Sequence, residues 1–281
     1  MDTLLEVRNL RVRFPTPTGV VEAVRGVSFA VGAEKVGIVG ESGSGKSTVG
    51  RAILRLIPRP GIVEADRLAF AGTDLLRASE RRMRDLRGAH LAMILQDPRH
   101  ALNPVMRVGR QIEETVRVHE RVGRREARRR ALDALAAVRI RDPERVHAAY
   151  PHELSGGMGQ RAMIAIMLAA GPELLIADEP TSALDVTVQA QVLAILDDLV
   201  TRRGMGLVFV SHDLELVGSF CDRVLVMYAG RILENLPARD LHAARHPYTR
   251  GLLACLPRLE GRGQRLATLE RDPAWLTEPV A

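Results

Sequence analysis

The clearest chemistry in this chain lies in one unbroken run: Gly40, Glu41, Ser42, Gly43, Ser44, Gly45, Lys46, Ser47 and Thr48. The run satisfies G-x-x-x-x-G-K-[ST] in full. Its glycines let the backbone wrap closely, so that successive N–H groups point at phosphate oxygens beside a positive helix N-terminus. Lys46 can reach the β- and γ-phosphates, and the Ser47 hydroxyl can ligate Mg²⁺. Gly40, Ser42, Gly43, Ser44, Gly45, Lys46, Ser47 and Thr48 are therefore the nucleotide-binding candidates, with a nucleoside triphosphate and Mg²⁺ as the ligands. The bland alternative is a flexible Gly/Ser turn that binds nothing. An apolar strand before the run and a helical stretch after it weigh against that.

Asp178 and Glu179 follow directly on the apolar run Leu174-Leu175-Ile176-Ala177. Two carboxylates at the C-terminal edge of a parallel sheet sit where ligands of such folds bind. Asp178 is suited to hold Mg²⁺ through water, and Glu179 to polarise an attacking water. A solvated strand end is the weaker alternative for the pair taken alone. Ser155-Gly156-Gly157 opens a helix-like stretch, Gln160 to Ala169, and offers a second set of free N–H groups. One chain needs only one anion site for its own ATP, so this one is surplus. By itself it reads as an ordinary helix cap.

These groups need rigid elements to hold them. Short apolar runs at Val36–Val39, Leu91–Leu95, Leu174–Ala177, Leu207–Val210 and Val224–Met227 predict strands buried on both faces of a mostly parallel sheet. Residues 4–30 predict short strands broken by the turn Pro15-Thr16-Pro17-Thr18-Gly19. Residues 107–147 are Arg-rich and helical in period, with Ala131, Leu132, Leu135, Ala136 and Val138 on one face. The expected fold is α/β: a mostly parallel sheet core, an N-terminal antiparallel β subdomain and a helical insertion. The expected division is an ATP-binding core at 1–97 and 156–235, a helical subdomain at 98–155, and a C-terminal extension at 236–281.

The chain has 281 residues, 46% hydrophobic and 26% charged, which suits a globular protein with a sizeable core. No apolar run approaches the roughly 18 residues needed to span a bilayer. Asp2 and Glu6 interrupt any signal-peptide h-region, so a cytosolic address is expected. A net charge of +6 brings nucleic acid into consideration. However, Arg124, Arg125, Arg128, Arg129 and Arg130 lack interleaved aromatics and read better as a solvated helix face. Cys221 and Cys255 lack metal spacing and read as apolar fillers. Every basic residue except Lys35 and Lys46 is an arginine. A lysine at 46 thus marks a place that requires a compact point charge.

In order, the chain carries GESGSGKST (40–48), Gln96, LSGGMGQR (154–161), LLIADEP (174–180), SALD (182–185) and His212. This set resembles the ATP-binding cassette family of transport ATPases. The segments QDPRHALNPVMRVGRQI (96–112), YPHELSGGM (150–158), LDVTVQAQVL (184–193) and HPYTRGLL (246–253) are similar to the ATPase subunits of oligopeptide, dipeptide and nickel importers. LSGGM together with LDVTVQAQ resembles the first of the two ATPases such importers use. The resemblance implies two copies packed head to tail, so that Ser155 and Gly157 of one close on the γ-phosphate held by the other's Lys46. It implies catalytic roles for Glu179, His212 and Gln96: the base, a γ-phosphate contact, and a sensor touching Mg²⁺ and the lytic water. Ser47, Gln96 and Asp178 become the metal candidates. Asp185 would link the two sites, and an N-terminal aromatic, here Phe14, would stack on adenine; a hairpin-core role suits Phe14 equally well.

The implied partners are two integral-membrane permease subunits, a second ATPase (a paralogue or a second copy) and, indirectly, an extracytoplasmic substrate-binding protein. The helical segment would dock a cytoplasmic helix of the permease. The implied location is peripheral, on the cytoplasmic face of the membrane, with no nucleic acid bound. Many relatives continue past HPYT into a cysteine-containing tail, which in some carries an iron–sulfur cluster; no such cysteines are present here, so no cluster is expected. Ala33 and Gly159 replace the family's usual glycine and polar residue. The competing class is a soluble ATPase of the family without a permease, acting on nucleic acid or in a carbon–phosphorus lyase assembly. A purely regulatory ATP-holding subunit is opposed by the intact Glu179 and His212.

Overall fold

The computed structural model describes residues 3–97, 101–182, 184–256, 269 and 272–276. Residues 98–100 of the QDP…LNP segment, residue 183 of SALD and much of the C-terminal extension lie outside these. The chain forms two compact units.

One unit gathers the described residues of Met1–Leu5, Val31–Glu34 and Phe70–Val208. It contains the strands β7 (Leu91–Ile94), β8 (Leu174–Asp178) and the start of β9 (Gly206–Val210), side by side in the order β9-β8-β7. β7 and β8 run parallel, with Leu91 opposite Leu174 and Ile94 opposite Ala177. Each of these three strands is buried along its whole length, as near-continuous apolar runs require. The Arg-rich region folds into α3 (Val108–His119), α4 (Arg124–Ala137) and α5 (Pro143–Ala148). Ile112, Val116, Ala127, Ala131, Leu135 and Val146 are buried between them. Three of the five arginines of α4 meet carboxylates: Arg128 pairs with Glu144 at 2.8 Å, Arg129 with Asp133 at 2.7 Å, and Arg130 with Glu120 at 2.5 Å. Hydrogen bonds from Arg129 and Arg130 hold the Glu126 carboxyl down at about 2. From Arg128 to Asp133 this face is a ladder of paired charges. Then come α6 (Gly156–Leu168) and α7 (Val186–Arg203).

The other unit gathers the described residues of Glu6–Ala30, Lys35–Ala69 and Phe209–Ala281. Here β1 (Leu5–Thr16), β2 (Gly19–Val31) and β5 (Arg67–Phe70) lie in the order β2-β1-β5, with β4 (Ile62–Glu64) antiparallel to β1. β1 and β2 are longer than the sequence predicts. Alternation along β1 buries Leu5 and Val7, then Leu10 and Val12. The phase slips at Asn9, whose φ is +49°, so the strand continues where the period-two pattern breaks. The second sheet segment places β3 (Lys35–Val39) parallel to β10 (Arg223–Tyr228), and β10 antiparallel to β11 (Arg231–Pro237). Helices α1 (Lys46–Ile53), α8 (Leu214–Phe220) and α9 (Pro247–Ala254) complete the unit. Cys221, 8% exposed, follows α8; burial pushes its thiol up to about 12, which suits an apolar filler. Among the described residues, no helix is long and apolar enough to cross a membrane.

Candidate nucleotide site

The phosphate loop joins the end of β3 to α1. Gly40 has φ +151°, and a Cβ there would stand 2.0 Å from the Met227 carbonyl oxygen. Gly45 has φ +100°, and its Cβ would stand 2.4 Å from the Ala23 carbonyl oxygen. Only glycine fits either place. The loop is tied from outside as well: the Gly230 N–H donates to the Ser44 carbonyl at 2.9 Å. Gly45 is the N-cap of α1 and has no side chain with which to cap it. Ser42 and Gly43 are exposed at the tip, while Ser47 and Thr48 are half-buried on the first helical turn.

Lys46 is only 5% exposed. Its Nζ donates to the carbonyl oxygens of Gly40 and Glu41, each at 2.8 Å, and lies 3.5 Å from Ser44 Oγ. The ammonium is thus held over the mouth of the loop by neutral carbonyls, a setting from which phosphate oxygens can draw it by charge. In the same unit His212 is exposed in the turn between β9 and α8. That turn is fixed by Ser211 N–H on the Ile38 carbonyl at 3.1 Å and by Asp213, whose carboxylate accepts from Leu216 N–H at 3.0 Å. Phe14 is half-buried on β1 and packs toward Gly61, where a Cβ would stand 2.9 Å from its Cε1.

In the other unit Asp178 ends β8 and is 3% exposed. Glu179 follows in the left-handed region with φ +47°, an unusual place for a carboxylate and one associated with functional sites. Its Oε2 accepts from Gln96 Nε2 at 3.1 Å, so the structure brings those two predicted residues together. Gln160, 2% exposed, donates to the Pro180 carbonyl at 2.6 Å and fastens α6 to the strand end. Ser155 is the exposed N-cap of α6 and its hydroxyl makes no capping bond. Gly157 packs against α7: a Cβ there would stand 2.7 Å from Val188 Cγ1. Asp185 caps α7, accepting from the N–H groups of Thr187 and Val188 at 3.0 Å each. Gln96, Asp178, Glu179, Ser155, Gly157 and Asp185 are therefore linked through Glu179, Gln160 and Val188. Sequence reasoning did not single out Gln160 or the strained Glu179 backbone; neither a glutamine inside a helical stretch nor a glutamate after a strand announces its torsion or partner.

The family model described as ABC transporter matches residues 24–182. The chain belongs to the ABC transporter family. The probable peptide ABC transporter ATP-binding protein y4tR of Sinorhizobium fredii is 51% identical, covering 99% of this chain and 84% of that protein. The oligopeptide transport ATP-binding protein OppD of Bacillus subtilis is 47% identical, over 98% of this chain and 78% of its own length. The dipeptide transport ATP-binding protein DppD of Escherichia coli is 49% identical, over 95% and 82%. Among solved structures, a dimeric ATP-binding cassette in a post-hydrolysis state with ADP and Pi superposes with a TM-score of 0.73 at 27% identity, covering 84% of this chain and 99% of that one. This ABC ATPase has the expected α/β fold with its N-terminal antiparallel sheet.

In this ABC ATPase the Asp185 cap yields a direct expectation. Replacing Asp185 by alanine removes both acceptor bonds at the start of α7 and should cost about 1 kcal/mol, read by chemical denaturation. Asp185→Asn should recover most of that loss, because the amide oxygen still accepts. Unchanged stability in Asp185→Ala would show that the cap contributes nothing.

Proposed function

We propose that this chain is the ATP-hydrolysing subunit of a peptide importer, seated on the cytoplasmic face of the membrane beneath two permease subunits and beside a second ABC ATPase. One observation carries the reading: relatives with 46–51% identity over nearly the whole chain are named as peptide-transport ATP-binding proteins. We further propose the functional division into a core at 1–97 and 156–235, a helical subdomain at 98–155 and an extension at 236–281.

In this reading Gly40–Thr48 cradles the triphosphate, and Lys46 exchanges its two carbonyls for β- and γ-phosphate oxygens. Ser47, Asp178 and Gln96 have the oxygen donors that suit Mg²⁺, and Lys46 and the glycine cradle fit the anion it accompanies. When bound, Mg²⁺ neutralises charge on the β- and γ-phosphates. Glu179 orients and polarises the attacking water, with Gln96 fixing its carboxylate. His212 contacts the γ-phosphate. Ser155 and Gly157 act on the nucleotide of the partner ATPase, Asp185 links the two sites, and Phe14 stacks on adenine. ATP closes the pair and hydrolysis reopens it.

The test uses tagged Glu179→Gln protein extracted from native membranes in Mg-ATP, with co-purifying proteins identified by mass spectrometry. Two integral membrane proteins and a second ABC ATPase are expected, and an associated binding protein would distinguish peptide from nickel cargo. A wholly soluble partner set, or bound nucleic acid, would overturn the transport reading and leave the ATPase in place.

A further inference from the structure

The HPYT segment has no role in the hydrolytic scheme, yet it reaches the phosphate loop. We propose that Tyr248 is a positioning residue of that loop, and that the segment from His246 to Ala254, sealed by Trp275, is a brace that sets where the Lys46 ammonium rests. The proposal deepens the nucleotide reading and relies on it for the consequence, though not for the brace itself.

The decisive contact is between Tyr248 and the first peptide of the loop. The Glu41 N–H donates to the Tyr248 hydroxyl at 3.2 Å. That N–H belongs to the same planar peptide unit as the Gly40 carbonyl, which accepts from Lys46 Nζ at 2.8 Å. Because the unit is rigid and trans, fixing its N–H fixes the direction of its carbonyl on the opposite side. Gly40 sits at φ +151° and has no Cβ to resist rotation, so the peptide that follows it gains from an external tie. Tyr248 supplies that tie from one side while Lys46 draws on the carbonyl from the other.

The tyrosine is itself held. It is fully buried, as is the neighbouring Thr249. His246 caps α9 through Nδ1, which accepts from the Tyr248 N–H at 3.1 Å, and Pro247 pre-sets the first turn. Upstream, Glu234 of β11 accepts from the Arg245 N–H at 2.7 Å. The ring packs on Tyr228 with centroids 4.7 Å apart, and Trp275 stands edge-on to both at 5.7 and 5.8 Å. The sequence holds one tryptophan and three tyrosines. It places the tryptophan and two of the tyrosines in this one cluster, where ring packing of this kind stiffens a site. Tyr228 ends β10, directly after Met227, whose carbonyl oxygen walls Gly40. The cluster therefore buttresses the strand end and the loop together.

The test is Tyr248→Phe, which keeps the ring and removes the hydroxyl. In ligand-free protein, amide hydrogen exchange should quicken in residues 40–46 and stay unchanged across the rest of the chain, with the melting temperature preserved. ATP affinity and KM should weaken about two- to twelve-fold, the scale of one neutral hydrogen bond, while kcat stays within about twofold. Trp275→Leu keeps the hydroxyl and loosens the ring, and should shift exchange at 40–46 and KM in the same direction by less. Wild-type exchange at 40–46 in Tyr248→Phe overturns the brace. So does a rise spread over the whole unit with a falling melting temperature, which would make Tyr248 a general core residue. If wild-type protein bound no ATP while exchange at 40–46 still responded to Tyr248→Phe, the brace would stand and the nucleotide reading would fall.

Discussion

Glu179→Gln should bind ATP normally and hydrolyse it about 10²- to 10⁴-fold more slowly, the range removed with a positioned general base. The substitution isolates the chemistry because it leaves the geometry alone. Glutamine has the same shape and meets the same steric terms at φ +47°. Its amide oxygen can still accept from Gln96 Nε2, the bond now 3.1 Å long to the carboxylate. What disappears is the negative charge that draws a proton from water. Gln96→Ala makes the complementary change: the base keeps its charge and loses the donor that holds it. Its turnover should fall less than that of Glu179→Gln. Single-turnover hydrolysis with bound ATP measured separately resolves the two. Wild-type turnover in Glu179→Gln would remove Glu179 from the role of base.

Much of this site is legible because its chemistry depends on residue type at short spacing. The loop from Gly40 to Thr48 declares itself, since only glycine tolerates carbonyl oxygens 2.0 and 2.4 Å from a would-be Cβ at Gly40 and Gly45. The buried strands are legible for a similar reason, as uninterrupted apolar runs bounded by polar residues. The opening of α6 at Ser155-Gly156-Gly157 is legible too, although regular helix is expected only over Gln160 to Ala169 and it already begins at Gly156. Local propensity disfavours three glycines in the first turns; the contact of Gly157 with Val188 and the bond from Gln160 to Pro180 override it. The length of β1 was not legible: the strand runs on through Pro15 and Thr16, which the sequence assigns to the turn, and its alternation slips at Asn9. The contact between Tyr248 and Glu41 spans 207 positions and has no local signature at all. A motif can be recognised where the chain must satisfy a ligand, while long-range ties between backbone and side chain emerge only from the fold.

Lys46 offers the sharpest test of why a loop built for phosphate keeps a lysine in a chain that otherwise favours arginine. Its Nζ is one nitrogen shared between two carbonyls at 2.8 Å, inside a loop that leaves the side chain 5% exposed. A point charge with three donors on a flexible stem fits that geometry. A planar guanidinium spreads its donors over a wider fork and cannot place one nitrogen between the carbonyls without displacing the Gly40–Glu41 peptide. Lys46→Arg should therefore behave like Lys46→Ala and not like a conservative change. Each loses charge-assisted bonds to the β- and γ-phosphates, so ATP affinity by calorimetric titration should fall about 10- to 100-fold, with turnover falling further. The unfolding temperature of the ligand-free protein should stay near wild type for Lys46→Ala, since water can reach the vacated carbonyls at the loop mouth. Adding ATP at a concentration that saturates the wild type should raise it most for the wild type and by clearly less for either variant, as the weaker affinity requires. Wild-type affinity in Lys46→Arg would mean that net positive charge suffices at this position and that the cradle does not select for the ammonium.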